Sequence, residues 1–105
     1  MNKDQELLMH AAKAAGYALT QWPDEDFIRA QVEEFRWPKW NPLESDGDAF
    51  RLAVRCAQLF GFYRFMRRWM VCMAEEAGSA ADPYAASRMA IVRAAAALSE
   101  LGATE

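Results

Sequence analysis

One histidine and two cysteines in a chain of 105 residues leave little from which to build a metal or redox centre. His10 is remote from Cys56 and Cys72, and no HExxH or CxxC spacing accompanies any of them. A lone histidine beside an apolar stripe reads as a partly exposed spacer. The two thiols sit in apolar surroundings and read as small buried hydrophobes, not as a secreted disulfide framework. No apolar run reaches the roughly 18 residues that a membrane-spanning helix needs. The opening MNKDQELLMHAAKAAG carries Asp4 and Glu6 where a signal peptide would be basic and then apolar. Also missing are GxSxG, a P-loop and GxGxxG. These absences predict a soluble, cytoplasmic protein with no catalytic residues, no cofactor, no metal and no membrane partner.

What the chain does contain is apolar material: 53% of its residues, with 12% aromatic. That composition belongs to a packed globule. A chain of this length forms one domain, residues 1–105, and buries about two-thirds of its unfolded surface without needing a staple. Charge is unevenly distributed. Residues 1–48 carry five basic and ten acidic side chains, and residues 75–105 carry two and five. Between them, residues 49–74 hold Arg51, Arg55, Arg64, Arg67 and Arg68 with no acid at all. Either the three regions neutralise one another across the fold, or the basic centre faces an anionic partner.

Periodicity marks three helices. Leu7, Leu8, Ala11, Ala12 and Ala15 recur at helical spacing, and Gly16 supplies a C′ stop. Ser45 or Asp46 can cap a helix from about Gly47 to Phe60, with Asp48 near the positive end of its dipole. Its apolar face is Ala49, Leu52, Ala53, Cys56, Ala57 and Phe60. Asp82-Pro83 opens a last, alanine-rich helix from Tyr84 to Leu101, with Met89, Val92 and Ala96 toward the core and Gly102 ending it. Capping also accounts for Asp46 and Asp48 better than acid–base catalysis does.

Extended structure is expected elsewhere. Tyr17 to Trp22 reads as a short strand closed by Pro23 and the turn Asp24-Glu25-Asp26, which lacks the ligand spacing of a calcium loop. Phe27 to Phe35 fits either a helical face or a strand. Phe35-Arg36-Trp37 reads as extended because Pro38 biases its predecessor away from the helical region. In WPKWNPLESDGDAFR, Trp37 and Trp40 end that segment over the core, and Asn41-Pro42-Leu43 turns the chain. Phe62 to Glu76 is balanced between two readings. Its aromatic residues favour a hairpin turning near Arg67-Arg68, although Arg-Arg is a poor two-residue turn. Met66, Met70, Met73, Ala74 and Ala77 suit a helix continuing past Gly61. Strands are preferred. The expected class is therefore α+β: about three helices packed on short antiparallel strands or hairpins. The alternative is a mostly α domain with residues 47–77 largely helical.

Three segments carry a resemblance. Ala11 to Tyr17 (AAKAAGY), Trp40-Asn41-Pro42-Leu43 followed by Asp46 to Val54 (DGDAFRLAV), and Asp82 to Ala96 (DPYAASRMAIVRAAA) resemble, in order and spacing, small proteins of tailed phages and prophages akin to the phage ABA-sandwich group. Those motifs carry no known chemistry. The resemblance implies a small layered fold of alternating hairpins and helices, with strands in residues 17–40 and 62–76. The chain departs from the pattern between its two later helices, where the group is longer and more polar. Here that segment is short and rich in Arg, Met and aromatic residues, so a distinctive activity would lie there.

The candidate interaction surface is accordingly Tyr63, Arg64, Arg67, Arg68 and Trp69. Arg, Met, Trp and Tyr are enriched where interfaces bury surface, though Met66, Met70 and Met73 equally fit core positions. The leading expectation is a phage or prophage accessory protein acting by protein–protein interaction with a host or phage protein, as a host modulator or anti-defence inhibitor of anti-CRISPR type. Self-association as a homodimer is a second possible partnership. The alternative is nucleic-acid binding, with these arginines on phosphates and Tyr63, Phe65 and Trp69 stacking on bases.

Overall fold

A computed structural model describes residues 3–31, 34, 36–76 and 82–104, with the backbone alone for 100–104. Four helices and a two-stranded sheet follow one another: α1 (Lys3–Ala15), β1 (Leu19–Thr20), β2 (Arg29–Ala30), α2 (Asp46–Phe60), α3 (Phe62–Glu76) and α4 (Pro83–Thr104). The mostly α reading is thus the one that fits. The expected α+β arrangement of about three helices on strands is corrected to four helices with a vestigial sheet. β1 and β2 pair antiparallel, Leu19 opposite Ala30 and Thr20 opposite Arg29. A third extended piece adds the bridge Arg29–Lys39, with the Trp40 amide donating to the Ile28 carbonyl at 2.8 Å. Of the ambiguous stretch from Phe27 to Phe35, the part expected at Val32, Glu33 and Phe35 lies outside the described residues, as does Ala77.

Each helix ends for a local reason. α1 closes in a Schellman turn: the Tyr17 amide donates to Ala12 at 2.9 Å, and the Gly16 amide to Lys13 at 3.1 Å. Gly16 takes the positive φ of 78° that this turn requires. α2 begins at Ser45, whose hydroxyl accepts from the Asp48 amide. Asp48 reaches back in turn to accept from the Asn41 amide at 2.9 Å, locking the Asn41-Pro42-Leu43 turn onto the helix. Gly61 serves two helices at once. Its amide donates to the Ala57 carbonyl at 3.0 Å, and its own carbonyl accepts from the Phe65 amide at 3.1 Å. A single residue therefore joins α2 to α3.

The preferred strand reading of residues 62–76 is overturned, because the segment is one continuous helix. Phe65 and Cys72 are buried, with Trp69 and Met73 packed against the core, and these positions share one helical face. Burial along that face outweighs the strand preference of individual aromatic residues. α4 also continues past Gly102, the expected stop, to Thr104.

The core forms around α4, which packs against α1, α2 and α3, most extensively α1 and α3. Ala90, Val92, Ala94, Ala95 and Leu98 are fully buried, and Ala86, Ile91 and Ala96 nearly so. A helix buried on most of its circumference has no polar stripe to show, and alanine lets neighbouring helices approach closely. Leu8, Ala11 and Ala15 meet it from α1, and Leu52 and Cys56 complete the core from α2.

Polar anchors fix the remaining pieces. Arg88 of α4 donates to the Leu43 carbonyl at 2.9 Å and to Asp46 at 2.7 Å, holding the loop before α2. Arg93 grips Glu75 at 2.7 Å and Glu76 at 2.5 Å, tying the end of α3 to α4. Arg29 forms a fork with Glu25 at 2.8 and 2.6 Å, lies over the Trp22 and Phe27 rings, and donates to the Trp37 carbonyl. The acidic turn is therefore only partly solvated: Asp24 and Asp26 are exposed, while Glu25 is drawn to Arg29. That hydrogen-bonded guanidinium holds the Glu25 carboxyl below its ordinary value.

Candidate functional site

The helical corner at Gly61 sets α2 beside α3 and leaves a groove of about 400 Å³ between them. Phe50, Ala53, Val54, Ala57 and Gln58 line it from α2, and Phe62, Phe65, Met66 and Trp69 from α3, with Ile91 of α4 also lining it. Gln58 is the one polar side chain of the set, apart from the Trp69 indole nitrogen. The walls stand open to solvent: Phe50 is 68% exposed, Phe62 61% and Val54 43%. Phe65 and Ile91 are buried and form the recessed floor. Trp69 is half-buried, and its Nε1 is a buried donor with no hydrogen-bond partner among the described residues. A buried N–H normally finds an acceptor, and this one, itself shielded from solvent, has none among the described residues.

The predicted surface residues divide among different sides of α3. Tyr63 is 82% exposed and meets the Phe62 ring edge-on at 5.8 Å. Arg67, one turn on, is exposed on the same outward side, as helical spacing requires. Arg64 is half-buried and Arg68 exposed, and their four-residue spacing places them on the flank away from the groove. Trp69 turns into the groove beside Phe65, ring centres 6.3 Å apart. The arginines and aromatic rings that alternate in the chain thus segregate on the helix. Of Tyr63, Phe65 and Trp69, Tyr63 alone presents a freely exposed ring.

The acid-free centre of the chain is partly neutralised inside the fold. Arg51 pairs with Asp48 at 2.7 Å, and Arg55 donates to the Ala15 carbonyl at the end of α1 at 3.1 Å. Asp48 has one carboxylate oxygen on the Asn41 amide and the other on Arg51, which gives it a structural role. His10 is exposed on α1. Cys56 and Cys72 are free and buried, as expected. Desolvation pushes the Cys56 thiol up to about 12, so it stays protonated at neutral pH and is a poor nucleophile there.

Two polar clefts flank the sheet. One, of about 450 Å³, runs between the start of α1 and the Trp40–Glu44 loop and contains Asp4, Asp26, Lys39 and Glu44. The other, of about 400 Å³, gathers Tyr17, Arg36, Trp40, Asp48 and Arg51. Burial raises the Tyr17 phenol above its ordinary value. Trp40 is itself buried and packs edge-on against Tyr17 at 6.0 Å. Among the described residues, no group of three or more His, Cys, Asp and Glu is placed to hold a metal ion, and no helix is long and apolar enough to cross a membrane.

Phe50, Val54 and Phe62 were not among the residues singled out from sequence. A signal was present: Phe50, Val54 and Ala57 recur at helical spacing beside the core stripe of Ala49, Leu52 and Cys56, so α2 carries a second apolar face. No family model, curated protein or solved structure matches this chain.

Proposed function

We propose that this chain is a small accessory protein without catalytic activity that acts by binding another protein through the face formed by α2 and α3. The observation that carries the reading is the groove whose walls include exposed Phe50, Val54 and Phe62. Contiguous apolar surface of this kind is unfavourable in water and marks interaction sites on folded domains. The resemblance to tailed-phage and prophage proteins supplies the setting: the cytoplasm of an infected or lysogenic bacterium, with a host or phage protein as partner. Inhibition of a defence complex of CRISPR–Cas type fits a protein that blocks by contact.

The test is affinity capture from bacterial lysate, with and without CRISPR–Cas components, using wild-type and Val54→Asp bait. The expected result is a defined partner held by the wild type and lost by the variant. Identical recoveries from both baits would exclude the groove as the binding surface. Nucleic-acid binding is a second reading, favoured by exposed Tyr63, Arg67 and Arg68 on α3. It requires salt-sensitive oligonucleotide retention that is abolished by Arg67→Glu with Arg68→Glu.

A further inference from the structure

Among the described residues the groove has no charged lining residue, which bears on what fills it. Arg51 and Arg55 are on α2 but are engaged with Asp48 and the end of α1, on the flank away from the groove. An acidic segment would find no cation inside. A charge-free face suits an occupant with the same surface, because two copies then bury no like charges against each other. Shape points the same way. Phe50 and Phe62 project from the walls, while Phe65 and Ile91 lie recessed, so the face offers both a knob and a hole. A twofold, isologous interface needs both on one surface.

Area is sufficient. Phe50 and Phe62, each about two-thirds exposed, offer on the order of 100 Å² apiece. With Val54 and the neighbouring exposed Tyr63 and Met70, the apolar face reaches on the order of 500 Å². A standard interface buries about 800 Å² per partner, of which about 450–520 Å² is apolar. The face therefore matches the apolar part of one complete half-interface.

We infer that the occupant of the α2–α3 groove is a second copy of this chain, forming a twofold dimer in which each copy seats a phenyl ring of the other over the Phe65–Ile91 floor. This rests on reading the groove as a protein-binding surface, and it places a second copy there in the free protein, which a host or phage partner would have to displace.

Sedimentation velocity of the purified wild-type chain over a wide concentration range tests the inference. The expected result is a shift from 11.9 kDa to twice that mass as concentration rises. Val54→Asp and Phe62→Asp, both at exposed positions, should each restore the monomer with helical content unchanged. Val71→Asp, exposed on the opposite flank of α3, should leave the dimer intact. A wild-type chain that stays monomeric throughout overturns the inference, as does a dimer indifferent to both groove substitutions. The broader reading stands or falls separately: a monomeric wild type that still loses a captured partner on Val54→Asp keeps the groove as a binding surface while excluding the second copy, and identical recoveries from both baits exclude the groove itself.

Discussion

Replacing Gly61 with alanine isolates one physical effect. Gly61 has φ 95° and ψ 142°, a region that L-residues avoid, yet a Cβ built there meets no atom within 4 Å. No neighbour would have to move, so the penalty comes from the backbone conformation itself, about 1–3 kcal/mol. Alanine also narrows the unfolded ensemble, which returns about 0.4–1 kcal/mol. The net loss is then about 1–2 kcal/mol, or a fall in Tm of roughly 4–15 °C for a domain of this size. Thermal unfolding followed by circular dichroism measures it. D-alanine, introduced by peptide ligation, has the opposite handedness and should raise Tm. A competing response is straightening, since α2 and α3 are helical right up to the corner. A single helix over residues 46–76 would be roughly 46 Å long. The folded chain measures 37 Å along its longest axis, so small-angle scattering would detect that change. Unaltered stability together with unaltered dimensions in Gly61→Ala would refute the argument.

Two further substitutions probe other anchors. Arg88→Met removes the donors to the Leu43 carbonyl and to Asp46, and should lower stability in urea by about 1–3 kcal/mol. Arg88→Lys should recover only part of this, because one ammonium cannot reproduce both contacts of the guanidinium fork. Cys56 governs an alkaline limb. Its folded pKa lies near 12 against 9.0 ordinarily, so above pH 9 the unfolded chain releases a proton that the folded chain retains. Stability should therefore fall as pH rises from about 9 towards 12, and the slope should flatten in Cys56→Ala. Melting temperatures across that range are the check.

The helices beginning near Asp4, Ser45 and Asp82 were legible because capping residues and spacing agreed there. Ser45, Gly16 and Asp82-Pro83 each act through one or two backbone groups close in sequence, which a linear reading can follow. Residues 62–76 were not legible in the same way. Aromatic side chains favour strands when taken singly, and only burial of Phe65 and Cys72 against α4 reveals the period that makes them a helix. Local signals were available: Arg67-Arg68 is a poor turn, and Gly61 can end one helix while its carbonyl opens the next. The same misreading hid the groove, since it has two walls only when α3 is helical. Tyr63 and Trp69, six residues apart, looked like one surface in sequence and lie on different sides of a helix. Arg88 and Arg93 act across long stretches of chain, and no local pattern marks such partners.

The central position of α4 bears on how the protein emerges from the ribosome. α1 and α3 make their principal packing contacts with a helix that is translated after both of them. Until residues 83–104 are made, Leu8, Leu52 and Phe65 lack the helix around which the core closes, and only the lesser α1–α2 and α2–α3 contacts can form. At about 5–20 residues per second, α4 follows the start of α1 by several seconds. During that interval the nascent chain presents much of the apolar faces of three helices to solvent. Folding therefore waits on the synthesis of α4, and a ribosome stalled before Pro83 would release a chain that depends on chaperones.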